Sequence, residues 1–249
     1  MNAASPDQHA SGFLAAAPDP LRYDGHTKDP AEAAAMVAAL VGPSARVLDV
    51  GCGTGSVSKI IVEITGAELT GIEPDSQRAA VARARGINVI QGLFDEKIIA
   101  DLGKFDVVVF ADVLEHLPDP SSALRLAHRV LKPNGAVVAS IPNIAHWSVR
   151  LDLLRGRFDY QPYGIMDATH LRWFTEKSVR GLFESSGYQI ERIDHTAGIL
   201  LPAYQEYFLW RHFRPRRYRI PAVHFLARHF PRLFGCQHVV RACRKQAVA

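Results

Sequence analysis

Residues 45–55 read ARVLDVGCGTG. Val47, Leu48 and Val50 form an apolar run of strand length, interrupted by one acid, Asp49. Glycines follow at alternate positions, Gly51, Gly53 and Gly55, and then a helical stretch over 55–65. Glycines at a strand-to-helix turn let the backbone approach a ligand closely and accept φ > 0. Working outward, further strand-length runs stand at 68–73 (ELTGIE), 87–91 (INVIQ), 105–111 (FDVVVFA) and 135–141 (GAVVASI). Helical stretches near 76–85, 94–102 and 119–131 separate them. Continuous Val/Ile/Leu runs alternating with helices predict an α/β fold with a doubly wound, mostly parallel sheet.

The flanks complete this domain. Residues 1–28, rich in Ala, Pro, Asp and Gly, read as a flexible N-terminal arm. The span 29–249 reads as one domain, opening on an Ala-rich helix over 29–41. After Pro142 the rhythm changes. A long connection, 143–174, carries a helix near 145–155; a helix at 175–187 and a strand at 188–195 follow. The stretch 197–235 reads as irregular, and the chain ends in a strand at 238–245. Seven strands result, with insertions after the fifth and sixth.

The chain has 249 residues, 48% hydrophobic and 22% charged, a globular composition that excludes a disordered chain. The net charge of +4 conceals an asymmetry. Ten of the 29 basic residues but one of the 25 acidic ones lie in Leu201–Ala249, so the tail carries +9 and the body −5. Three cysteines, Cys52, Cys236 and Cys243, are too few and odd in number for a disulfide framework, which predicts a reducing compartment. The N-terminus shows no apolar signal core, and no stretch reaches bilayer-spanning length. A cytoplasmic protein is expected, with peripheral membrane contact as a second option.

Glu73 ends the second strand, 18 residues beyond Gly55, where a carboxylate can accept hydrogen bonds from two ribose hydroxyls. Loop and acid together point to an adenosine-containing cofactor. The G-x-G-x-G spacing departs from the G-x-G-x-x-G of dinucleotide binders, and Asp49 would repel a pyrophosphate. A cationic ligand such as S-adenosylmethionine suits it.

VLDVGCGTG, GIEPD, FADVLEHLPDP and LKPNGAVVASIPN resemble the successive signature segments of class I S-adenosylmethionine-dependent methyltransferases, over about residues 45–196. IPNIAHW and GIMDATHLRWFT are similar to segments of the glycan (O-antigen type) subgroup, which stands beside the small-molecule and quinone subgroup. The resemblance implies that Asp49, Gly51, Cys52, Gly53 and Gly55 hold the methionine end, Glu73 the ribose, and Pro74, Asp75, Gly92, Leu93 and Phe94 the adenine side. It implies Asp112 and Val113 beside the methionine, and Tyr23 of the arm closing over the cofactor. Leu93 and Phe94 stand where many relatives carry an acid toward the adenine amino group; Asp95 or backbone groups would have to replace it.

Methyl transfer to a hydroxyl benefits from a general base, and histidine titrates near neutrality. His116, His146 and His170 all follow strand carboxyl ends, with His116 and His170 ranked first as catalytic candidates. Asn143, Trp147, Arg172 and Trp173 are candidate substrate contacts. No metal-ligand spacing stands out. The segment after the fourth strand, Ala111-Asp112-Val113-Leu114, lacks the Asn/Asp-Pro-Pro-Tyr/Phe pattern of amide- and base-nitrogen methylation, which favours a hydroxyl acceptor. A glycan or small metabolite leads; a quinone precursor at the membrane surface and a non-catalytic, cofactor-binding regulatory subunit are the alternatives. The Arg- and aromatic-rich 197–235 is expected to cover the acceptor entrance together with 143–174 and to meet a phosphate-bearing acceptor or an anionic leaflet. Nucleic acid fits this charge least well.

Overall fold

The computed structural model describes residues 19, 21, 24–43, 45–199, 201, 203–207 and 216–245. Its strands are β1 (Arg46–Val50), β2 (Glu68–Glu73), β3 (Asn88–Gln91), β4 (Phe105–Ala111), β5 (Leu131–Pro142), β6 (Tyr188–His195) and β7 (Gln237–Arg244). They form one seven-stranded sheet in the order β3-β2-β1-β4-β5-β7-β6. β1 to β5 pair in parallel, and β7 runs antiparallel to both β5 and β6. The expected doubly wound architecture is present.

Helices cover both faces, and the strand period of two decides which side chain meets which layer. On one face Leu48, Val108, Phe110, Val137 and Ile141 pack with α4 (Glu96–Ala100), α5 (Pro120–Val130) and α7 (Glu176–Ser185). On the other, Val47, Val107, Val109 and Val138 meet α1 (Ala33–Val41), α2 (Ser56–Thr65) and α3 (Ser76–Ala84). Asp49 shares the parity of Val47, so its carboxylate is carried under α2. The order reverses between β1 and β4, which opens a crevice at their carboxyl ends.

The insertions depart from expectation in one respect. The stretch 197–235, read as irregular, contains α8 (Ala203–Glu206), α9 (Arg216–His229) and α10 (Pro231–Phe234). α9 tolerates Pro221 because Val223 and Ala227, one turn apart, dock on the fully buried Tyr204. In the first insertion, α6 (Trp147–Leu154) is followed by a loop closed by isolated bridges, Asn143 to Phe174 and Gln161 to Asp167.

Candidate active site

A cavity of about 780 Å³ opens at the carboxyl edge of the sheet. One end is built by the glycine loop. Gly51, Gly53 and Gly55 all take positive φ, and a Cβ on Gly51 would stand 2.8 Å from Val113 Cγ2. Only glycine therefore fits there. Glu73, 3% exposed, accepts from Gly53 N at 2.8 Å through Oε2 and from Asp75 N at 2.9 Å through Oε1. Each oxygen keeps a second lone pair for a ligand hydroxyl.

Beneath the loop, Asp49 is 1% exposed. Ser58 Oγ donates to its Oδ2 at 2.5 Å, while Oδ1 has no hydrogen-bond partner. Burial, reinforced by the charge of Glu73, pushes the Asp49 carboxyl up to about 7 despite the Ser58 bond. A buried, half-partnered acid of this kind is suited to a cation. Cys52 packs beside it, and burial raises its thiol far above the ordinary range.

The other end of the cavity is a cluster at the mouth of β4. Asp112 adopts φ +53°, a left-handed conformation rare for a side-chain-bearing residue. Its N–H donates to Ser140 O and Oγ at 3.1 and 3.0 Å, and its Oδ1 accepts from Gln237 Nε2 at 2.6 Å. A 3-10 turn, Leu114–His116, follows. Glu115 is 1% exposed, and neither of its carboxylate oxygens has a hydrogen-bond partner. Burial, with Asp112 nearby, holds this carboxyl well above the carboxylate range. His170 Nε2 lies 4.0 Å from Glu115 Oε1, and the His116 and His170 rings meet edge to face at 4.8 Å.

Hydrogen bonds orient both imidazoles. His170 Nδ1 faces Ile165 O at 3.2 Å and His116 Nδ1 faces Thr169 O at 3.1 Å. A carbonyl only accepts, so each Nδ1 carries a proton, and a neutral His170 keeps the lone pair on Nε2. Burial and the neighbouring His116 lower the His170 pKa, which keeps it neutral. The loop bearing His170 is stitched down by Leu171 N and Arg172 N, which donate to Glu115 O at 2.8 and 3.0 Å. Asp167 braces it by accepting from Thr169 N and Oγ1.

The residues anticipated from sequence divide clearly. Asp49, Gly51, Cys52, Gly53, Glu73, Pro74, Gly92, Leu93, Phe94, Asp112, Val113, His116 and His170 line the cavity. Gly55 instead caps α2 against Ala82, and Asp75 caps α3 by accepting from Gln77 and Arg78 N–H. Asp95 lines the cavity while capping α4. Tyr23 lies outside the described residues. The arm beside it is held by Asp24, which accepts from Thr54 Oγ1 at 2.7 Å and pairs with Arg85; the guanidinium keeps its carboxyl at about 2.

His146 is not brought to the cavity. It is fully buried at the start of α6, with Nδ1 on Ser148 and Nε2 on Tyr204 Oη, and burial pushes its pKa down to about 3. Asn143 is also buried, donating to Gly235 O and accepting from Ala145 N, so it ties two loops together. Trp147 packs on Tyr204 and Tyr207. Arg172 is exposed and donates to Pro118 O; Trp173 packs against Phe158 and Tyr160. Among the described residues, none of 197–235 lines the cavity, while Gly164, Ile165, Thr169 and His170 of the first insertion do.

Glu115, Cys236, Gln237 and His26 are among the cavity residues that the sequence reading did not single out. Glu115 carried a signal, standing next to His116. Gln237 carried a weaker one, because an antiparallel last strand starts at the edge where the parallel strands end. The sequence shows no compact ligand spacing, yet Glu115, His116 and His170 place donor atoms within 4.8 Å of one another and could hold a divalent cation.

The family model of a methyltransferase domain matches residues 23–193. The chain belongs to this family. S-adenosyl-L-methionine is the cofactor of these methyltransferases, and the structure fits it: the cradle at Gly51 excludes a side chain, and Asp49 Oδ1 is unpartnered. Asp49 would meet the cofactor's ammonium, Glu73 its ribose, and Leu93 and Phe94 its base. The chain is 38% identical over 104 residues to the ubiquinone biosynthesis O-methyltransferase of Pseudomonas aeruginosa, covering 39% of this chain and 44% of that one. It is 36% identical over 124 residues to the protein of that name in Xanthomonas oryzae, covering 47% and 52%. The chain thus spans about half the length of these curated relatives. In fold it is similar to a methyltransferase of Archaeoglobus fulgidus (TM-score 0.57, 17% identity, 90% and 97% covered). It is also similar to the magnesium protoporphyrin IX methyltransferase of Synechocystis with bound SAH (TM-score 0.54, 18% identity, 85% and 81% covered).

The state of Asp49 makes cofactor affinity depend on pH. Without a bound cation the acid holds its proton up to about pH 7; an ammonium partner favours the ionised form and draws that value down. Below pH 7, binding must therefore expel a proton, and affinity should fall by up to about tenfold per pH unit. Calorimetry in buffers of different ionisation enthalpy should detect up to about one released proton at pH 6 and none at pH 8.5. A pH-independent affinity without proton release would contradict this role.

Proposed function

We propose that the chain transfers the methyl group of S-adenosyl-L-methionine to a hydroxyl of a small molecule, with a phenolic acceptor favoured over a glycan. The observation that carries this reading is one continuous cavity, with the Gly51–Gly53 loop and Glu73 at one end and Glu115, His116 and His170 at the other. When bound, the cofactor supplies the methyl group and the leaving group. The chain must align the acceptor oxygen and receive its proton. The bare Nε2 of His170 is the proposed acceptor of that proton, with Glu115 4.0 Å away to stabilise the imidazolium; His116 supports the pair.

The cavity residues flanking this cluster, Val113, Leu117 and Ile165, are apolar, which suits an aromatic ring better than a sugar. The Pseudomonas and Xanthomonas relatives are O-methyltransferases of ubiquinone biosynthesis, which supports a phenolic hydroxyl. The cation-binding geometry of the cluster favours a second route, in which a divalent metal lowers the hydroxyl pKa.

The test is radiolabel transfer from the cofactor to phenolic and sugar acceptors, with EDTA or added magnesium. Labelled phenols formed equally in both conditions support the histidine route, and loss in EDTA supports the metal route. Tight cofactor binding with no transfer to any hydroxyl would favour the regulatory-subunit alternative.

A further inference from the structure

The outer surface of the insertions has a composition unlike the rest of the protein. α9 turns Val223 and Ala227 onto the small core around Tyr204. On its opposite side Tyr218, Pro221, Phe225, Arg228 and His229 are exposed. Their spacing of three or four residues puts them on one helix face. Tyr218 is 56% and Phe225 57% exposed, and from Tyr207 to Cys236 the chain contains seven arginines and no acid.

The first insertion adds exposed apolar side chains of its own. Among the described residues, every large aromatic that is exposed lies in 143–174 or 197–235, together with Leu153 and Leu154, the latter 84% exposed. The two insertions are packed as one layer: Trp147 of α6 meets Tyr204 and Tyr207 at 5.6 and 5.1 Å, and the Arg155 guanidinium lies over the Tyr207 ring at 5.4 Å. Through Leu171 and Arg172, bonded to Glu115 O, the layer reaches the catalytic cluster.

We infer that this layer docks the protein peripherally on an anionic bilayer, with the Tyr218–Phe225–Arg228 face of α9 as the principal contact. Aromatic side chains settle at the headgroup boundary, and exposed basic residues such as Arg228 are drawn to anionic lipid, whereas Arg232 is paired with Glu176. Exposed leucines decide between a bilayer and a nucleic acid, because they have no base to stack on but gain burial among acyl chains. No helix among the described residues is long and apolar enough to cross a membrane, so the contact is a surface one. The inference rests on surface residues alone and is independent of the acceptor's identity.

Co-sedimentation of the full chain with phosphatidylcholine vesicles, with and without about 30% phosphatidylglycerol, tests it at low and at about 0.5 M salt. The expected result is binding to the anionic vesicles only, weakened at high salt. Arg228→Glu and Phe225→Ser should each reduce the partition coefficient by about fivefold or more, with unchanged melting temperature and cofactor affinity. Absence of binding at low salt overturns the inference, as does binding that neither substitution changes. Single-stranded RNA binding more tightly and displacing the protein from vesicles would overturn it in favour of nucleic acid. The comparison of the two vesicle types needs no variant, so it stands even if a substitution disturbs folding.

Discussion

Glu115→Gln is expected to lower turnover by about 10²-fold or more while raising the melting temperature. Both effects follow from the same two unpartnered oxygens. Glu115 is 1% exposed in the free protein, with no hydrogen bond to either oxygen and the nearest imidazole nitrogen 4.0 Å away. A buried polar group without partners costs about 1–3 kcal/mol, and a carboxylate costs more. To be buried neutral the acid must take up a proton on folding, which costs stability above its ordinary pKa; the amide has no such cost, so stability at neutral pH should rise by about 1 kcal/mol or more. In the proposed reaction the carboxylate either balances the positive charge forming on His170 or ligates a cation, and an amide does neither. Thermal melts and single-turnover methyl transfer check the two halves separately. A stabilised variant with normal turnover would remove Glu115 from the chemistry, and a destabilised one would show that it has a structural partner. His170→Ala should cost a similar factor in turnover, while His146→Ala should act on stability alone, because His146 is enclosed by Ser148 and Tyr204 away from the cavity.

Glu73→Ala is expected to weaken cofactor binding by about 10²-fold or more and to destabilise the fold at the same time. The carboxylate holds Gly53 N and Asp75 N at 2.8 and 2.9 Å. Deletion leaves both donors to find water, at a cost of about 1–3 kcal/mol if they cannot, and the loop bearing Gly53 loses its tie to the end of β2. The proposed ribose contacts vanish as well. Glu73→Gln separates the two roles. It retains one acceptor oxygen, but its NH2 must face one of the two backbone N–H groups. Calorimetric titration and melting curves on both variants are the measurement. If Glu73→Ala loses stability but binds the cofactor normally, the residue is a loop brace and the ribose lies elsewhere.

The two predictions differ in how early each residue could be recognised. Glu73 was legible in one dimension, because a strand's last residue and the loop after the preceding strand must meet at the same edge of a parallel sheet. The same logic made the seven strands readable: continuous Val and Ile runs such as FDVVVFA stay buried on both faces and have few other places to go. The loop glycines were readable because no other residue accepts their backbone without strain. In these cases local chemistry and fold topology impose the same answer.

The acceptor side followed different rules. His116, His146 and His170 looked equivalent along the chain, each a few residues beyond a strand or in the connection after it. Tertiary packing separated them: the turn of α6 buried His146 under Tyr204, while the 165–172 loop, bonded to Glu115 O, folded His170 back against His116. Glu115 and His170 are 55 positions apart, and nothing in their spacing announces a shared site. Likewise, the exposed aromatic face of α9 emerges only once Val223 and Ala227 are seen to dock on Tyr204. The sequence by itself therefore determined the sheet, the glycine loop and the acid that faces it, since each depends on short-range geometry repeated along parallel strands. The tertiary structure alone decided which histidines and which carboxylate face the acceptor side, because long-range loop packing sets the burial and partners of each one.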